Sequence, residues 1–135
     1  KEIMGILLAA IWFVIVLYID VKTDYKRLQT NTINHKRGFI LRSLGLLPSF
    51  FCLLLPVNEH IILKSLNVIG LLGSFYWELF DGFFNLKRGY KWRFNGSDDK
   101  DDAVSDNILQ KISPLEQAFL KIGLIISFTF LYCLI

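Results

Sequence analysis

Four stretches of this chain are apolar for long enough to cross a bilayer, and the segments between them are polar and charged. The first, Ile3 to Ile19, reads IMGILLAAIWFVIVLYI and contains no charged residue. At about 1.5 Å of rise per residue, such a run just crosses a hydrocarbon core of about 30 Å. The run is long and no small-x-small cleavage pattern precedes Asp20, so it reads as a retained span rather than a signal peptide. The other stretches cover about 39–56, 61–84 and 115–135. The expectation is one all-α domain, a polytopic membrane protein with four transmembrane helices.

Composition agrees. Apolar residues make up 53% of the chain and Phe alone accounts for 12 positions, a balance found when polar loops dilute very apolar spans. The two cysteines, Cys52 and Cys133, belong to no CxxC or Cys/His cluster. A structural zinc site and a disulfide-stapled scaffold are therefore excluded. Both cysteines fall near the outer ends of their spans. They read as two separate apolar cysteines, with a disulfide between them as the other reading.

The connections carry the topology. Asp20 to Arg37 reads as a polar loop with Lys22, Lys26, Arg27, Lys36 and Arg37. Val57-Asn58-Glu59-His60 reads as a tight turn, which makes spans two and three a hairpin. Leu86 to Ser113 is the longest polar segment and holds Lys87, Arg88, Lys91, Arg93, Lys100 and Lys111. Within it, Ser97 with Asp98 and Asp99 reads as a helix N-terminus. Ala103, Val104, Ile108, Leu109 and Ile112 follow at helical spacing and predict a short amphipathic helix over 98–112. Ser113-Pro114-Leu115-Glu116 has the capping-box pattern, with Pro at the first helical position. The Lys and Arg bias places both long loops in the cytoplasm and both termini outside, in a multi-pass protein of the cell (inner) membrane.

Ionisable residues inside the spans are the candidates for chemistry. Arg42, Glu78, Asp81 and Lys121 fall within one or two turns of the cytoplasmic ends, at similar depth. Each alone costs roughly 2.5–3.5 kcal/mol at mid-span, and less near the interface. An ion-pair network of Arg42, Glu78, Asp81, Arg88 and Lys121 is one reading. Along the third span, Glu78, Asp81, Asn85 and Arg88 are three, four and three apart and form one polar stripe. Trp77, Phe80 and Phe84 form an aromatic stripe beside it. Reflection about the turn near Asn58 brings His35 level with Asp81 and Arg42 within about a turn of Glu78. The other reading is thus a cytoplasm-facing pocket, with His35, Glu78, Asp81 and Asn85 as catalytic candidates. His35, Glu78 and Asp81 are the candidate ligands of a divalent metal. The same groups suit acid–base work if burial raises a carboxylate pKa. There is no HExxH or paired-His spacing to reinforce the metal reading.

Asp98-Asp99-Lys100-Asp101-Asp102 with Asp106 lacks the spacing and closing Glu of an EF-hand, and reads as a solvated helix start. Tyr90-Lys91-Trp92-Arg93-Phe94 alternates rings and cations. Beside a membrane this suits an interfacial belt with its cations at anionic headgroups. Nucleic-acid binding uses the same ingredients, but no larger basic patch supports it.

Trp77-Glu78-Leu79-Phe80-Asp81, Asn85, Arg88-Gly89, Trp92, Gly96 and the aspartates up to Asp106, with Asn34-His35, form a pattern. It resembles small multi-span membrane proteins of Bacteroidetes-type bacteria and their phages. The resemblance covers about half the chain, implies no particular activity, and suggests that these polar residues form a set. Three functions are compatible with the sequence. The first is a non-enzymatic component of a membrane assembly, as a homo-oligomer or within a larger complex. The second is a small membrane enzyme acting on a lipid or membrane-bound substrate. The third is an oligomeric pore or holin-like protein.

Overall fold

The computed structural model describes residues 2–30, 32, 35–55, 60–92 and 112–134. Among them the chain forms four helices and no strand: α1 (Glu2–Gln29), α2 (His35–Leu54), α3 (Ile61–Lys87) and α4 (Pro114–Leu134). Three of them, over Ile3–Gln29, Lys36–Leu54 and Pro114–Leu134, are long and apolar enough to cross a membrane. α3 is as long, but Lys64, Asn67, Glu78 and Asp81 interrupt its apolar run, and it is not one of the three. The tight turn at 57–59 lies outside the described residues. So does the amphipathic helix of 98–112, apart from Ile112, which is in a bend before α4.

The polar loop expected over Asp20–Arg37 is largely helix. α1 runs on to Gln29 and α2 already starts at His35. The cause is local. No Gly or Pro interrupts Asp20–Gln29, and Val21 continues the buried stripe begun by Ala9, Phe13 and Leu17. Asp24 and Arg27 add an i,i+3 ion pair at 3.1 Å.

α1 and α2 pack antiparallel along a seam of small residues. A Cβ on Gly5 would lie 3.1 Å from the Cys52 carbonyl oxygen, and one on Gly45 would lie 3.2 Å from Val16 Cγ1. Ser49 Oγ donates to the Ala9 carbonyl at 2.9 Å, and Trp12 Nε1 donates to the Gly45 carbonyl at 2.7 Å. Gly5 and Ala9 are four apart on one helix, as are Gly45 and Ser49 on the other. This is the spacing that lets membrane helices bring their backbones close.

α3 and α4 pair in the same antiparallel sense. The Phe128 ring lies over Gly70 so closely that a Cβ there would collide with it. Ser113 and Glu116 close a reciprocal capping box at the start of α4: Ser113 N–H donates to Glu116 Oε2 at 2.7 Å, and Glu116 N–H to Ser113 Oγ at 3.3 Å. The pairs meet in a core where Ala9, Phe13, Leu17 and Val21 face Val68, Leu72 and Tyr76. Phe13 and Tyr76 meet edge to face at 6.1 Å. Tyr132 OH donates to the Leu53 carbonyl at 2.9 Å and joins α4 to α2.

The outer surface is apolar on every helix. Ile3 is 75% exposed, Phe39 71%, Ile62 76% and Phe119 68%. A water-facing surface does not carry so continuous an apolar cover; a lipid-facing one does.

Candidate functional site

The antiparallel pairing gathers the end of α1, the start of α2, the end of α3 and the start of α4 at one end of the bundle. The polar residues there divide into three groups.

Arg42 is the centre of the first. Its Nη2 donates to Asp24 Oδ2, its Nε lies 3.6 Å from Asp20 Oδ2, and Arg27 Nη1 reaches Asp24 Oδ1 at 3.1 Å. Tyr76 OH donates to Asp20 Oδ2. The guanidinium carbon lies 4.3 Å from the Phe80 ring centroid and 5.9 Å from that of Tyr76, within reach of a cation–π attraction. Tyr76, Phe80 and Phe84 stack at 5.5 Å intervals along α3, so the cation rests on an aromatic ladder. Asp20, Asp24 and Arg27 share one face of α1 because they are four and three apart.

The second group joins α3 to α4. Lys121 Nζ meets Asp81 Oδ2 at 2.6 Å and lies 4.8 Å from the Trp77 centroid. The lysine side chain is 7% exposed and the aspartate 42%.

The third is a fold-back of the chain onto α3. Gly89 adopts φ 82°, a left-handed conformation that glycine takes without strain. Tyr90 N–H then donates to the Asn85 carbonyl at 3.0 Å. Asn85 Nδ2 donates to the Trp92 carbonyl at 3.1 Å, and Trp92 Nε1 to Glu78 Oε1 at 3.0 Å. The indole fills the space beside Gly82, where any Cβ would strike it, and meets Phe83 edge to face at 5.0 Å.

These placements reorder the set expected from the sequence. Arg42 pairs with Asp20 and Asp24 of α1, not with Glu78, because α1 extends far enough to present both acids to it. Glu78 and Asp81 are on α3 as expected, but Glu78 turns to Trp92 and Asp81 to Lys121, so the two carboxylates diverge. Arg88 lies over the Phe84 and Tyr90 rings, at 5.6 and 4.9 Å. His35 is the first residue of α2, and its side chain lies outside the described residues. Among the described residues, no three His, Cys, Asp or Glu side chains converge as a metal-ligand group. Of the expected surface belt, Lys91 is exposed, Trp92 turns inward, and Arg93 and Phe94 lie outside the described residues. Sequence reasoning missed Asp20 and Asp24. Their four-residue spacing, with Arg27 three further on, was the available signal.

Asn67 of α3 is 2% exposed, and neither Oδ1 nor Nδ2 has a hydrogen-bond partner. Lys64, one turn earlier, is also buried, with Nζ 5.9 Å from the Tyr132 centroid. The polar line of α3 thus extends well beyond Glu78 toward the opposite end of the bundle.

No protein-family model, curated protein or solved structure matches this chain.

Proposed function

We propose that this chain is a four-span integral membrane protein and a non-enzymatic packing component of a membrane assembly. α3 is the fourth span, the α1–α2 and α3–α4 connections are cytoplasmic and both termini are outside. The observation that carries this reading is the mutual engagement of the charges at the polar end. Asp20 and Asp24 take Arg42 and Arg27, and Asp81 takes Lys121. Charges paired across helices fix which helix faces which and at what register, and they keep a polar helix such as α3 tolerable inside lipid. A catalytic carboxylate pair would instead converge on one space.

The test is a charge exchange in the full chain. Asp81→Lys and Lys121→Asp, each alone, lower the yield of membrane-inserted protein and of cross-linked assembly. The double exchange restores both. Topology mapping with membrane-impermeant thiol reagents, on cysteines placed at 26, 58 and 91, reads the sidedness in the same preparations. Folded, fully assembled single variants that have lost a chemical activity would move the reading to the His35, Glu78 and Asp81 enzyme.

A further inference from the structure

Charge is sorted by direction at the polar end. All five carboxylates described there are engaged: Asp20, Asp24, Glu78 and Asp81 by side chains of the bundle, and Glu116 by its own helix cap. Lys22, Lys26, Lys36, Lys87 and Lys91 point outward, and none of them is paired with an acid among the described residues. Three of them flank one contact between α1 and α3. Lys22 and Lys26 are exposed one turn apart on α1, Lys22 with its Nζ 5.9 Å from the Tyr18 centroid, and Lys87 at the end of α3 places its Nζ 5.4 Å from the centroid of Tyr25, the neighbour of Lys26. They stand at the edge of the apolar cover. Tyr18 and Ile19, 65% and 54% exposed, precede Lys22, and Leu86, 51% exposed, precede Lys87. Lysines in that position stand at the depth of lipid phosphates, where each attracts anionic headgroups.

We propose that Lys22, Lys26 and Lys87, exposed about the contact of Lys87 with Tyr25, bind the phosphate of an anionic phospholipid. This inference rests on the membrane-spanning reading above. Positive charge without neighbouring acid is complementary to a phosphodiester. Continuity with the lipid-facing surface selects a lipid over a soluble anion, since the acyl chains then lie along the exposed faces of α1 and α3.

The experiment uses the purified full chain in neutral detergent, titrated separately with phosphatidylglycerol and phosphatidylcholine. Retained lipid is read by native mass spectrometry, and the unfolding midpoint by circular dichroism. Phosphatidylglycerol is expected to be retained preferentially and to raise the midpoint. K22Q/K26Q/K87Q loses that preference, by about fivefold in affinity for each lysine. Inorganic phosphate and glycerol phosphate have no effect. Single K22Q and K26Q variants, at exposed positions, repeat the test without risk to folding.

Equal retention of the two lipids, or a preference that survives the triple variant, overturns the proposal. So does an equal response to inorganic phosphate, which assigns the lysines to a soluble anion, or tighter binding to a short oligonucleotide than to lipid. Replacing Asp98, Asp99, Asp101 and Asp102 with Asn tests a rival occupant within the chain. A lipid preference that appears only in that variant overturns the proposal in favour of those aspartates. Alkaline carbonate extraction separates the two readings: a chain released from membranes refutes the span assignment, whereas one that stays without lipid preference refutes only the headgroup site.

Discussion

Arg42 of α2 hydrogen-bonds Asp24 of α1 while its guanidinium carbon lies 4.3 Å from the ring centroid of Phe80 of α3. One side chain thereby ties three helices together at a single level. Arg42→Met is expected to destabilise the bundle by about 3 kcal/mol, because Asp20 loses its cation and Asp24 is left with Arg27 alone. Arg42→Met combined with Asp20→Asn and Asp24→Asn recovers a large part of that loss. Unfolding titrations in mixed detergent micelles measure both. A triple variant no more stable than the single one contradicts the assignment.

Asp81 and Lys121 should contribute less. The aspartate is 42% exposed near the polar end of α3, where water at the bilayer surface screens such a pair to about 1 kcal/mol or below. Asp81→Asn is expected to be mild in stability. Lys121→Met, which also leaves the Trp77 face, shows a change in Trp77 fluorescence that Asp81→Asn does not.

Gly82→Ala is expected to evict the Trp92 indole, since the added methyl group occupies the space of the ring. Acrylamide quenching reads this directly in a background with Trp12→Phe and Trp77→Phe. Trp92→Phe keeps the ring but loses the hydrogen bond to Glu78, at about 1 kcal/mol. If Trp92 is no more quenchable in Gly82→Ala than in its parent, the fold-back does not hold the indole in place.

Asn67 gives the opposite sign. Its amide is buried with both polar atoms unpaired, so Asn67→Val is expected to stabilise the protein by about 1–3 kcal/mol, less any packing strain. Ser49→Ala, by contrast, loses the bond to the Ala9 carbonyl and costs about 1 kcal/mol. The same detergent titration compares the two.

The helical class and three apolar spans were legible because periodicity and run length are local properties. Ser113 and Glu116 were legible for the same reason: a capping box is written within four residues. The Arg42 partners were not. Asp20 and Asp24 look like the start of a loop when hydropathy alone sets the helix end. Their role depends on a helix that continues past its apolar run, which only packing against α2 and α3 reveals. The turn of Trp92 toward Glu78 was hidden differently. The alternating aromatic–basic run reads as a surface belt, whereas beyond the left-handed Gly89 the Trp92 indole turns back onto α3. The α3 polar stripe was visible from Glu78 down to Arg88. Its continuation to Lys64 and Asn67 required knowing that those two residues are buried.

Trp92 also has a mechanical consequence. With its indole seated beside Gly82 and its carbonyl held by Asn85, the chain leaves α3 from a clamp on the helix flank. Its other anchorage is the Ser113–Glu116 cap. The described chain therefore stops at one fixed point on the flank of α3 and resumes at another, the cap of α4. A pull on the chain at Trp92 is delivered to Glu78, one turn from the pair that joins α3 to α4.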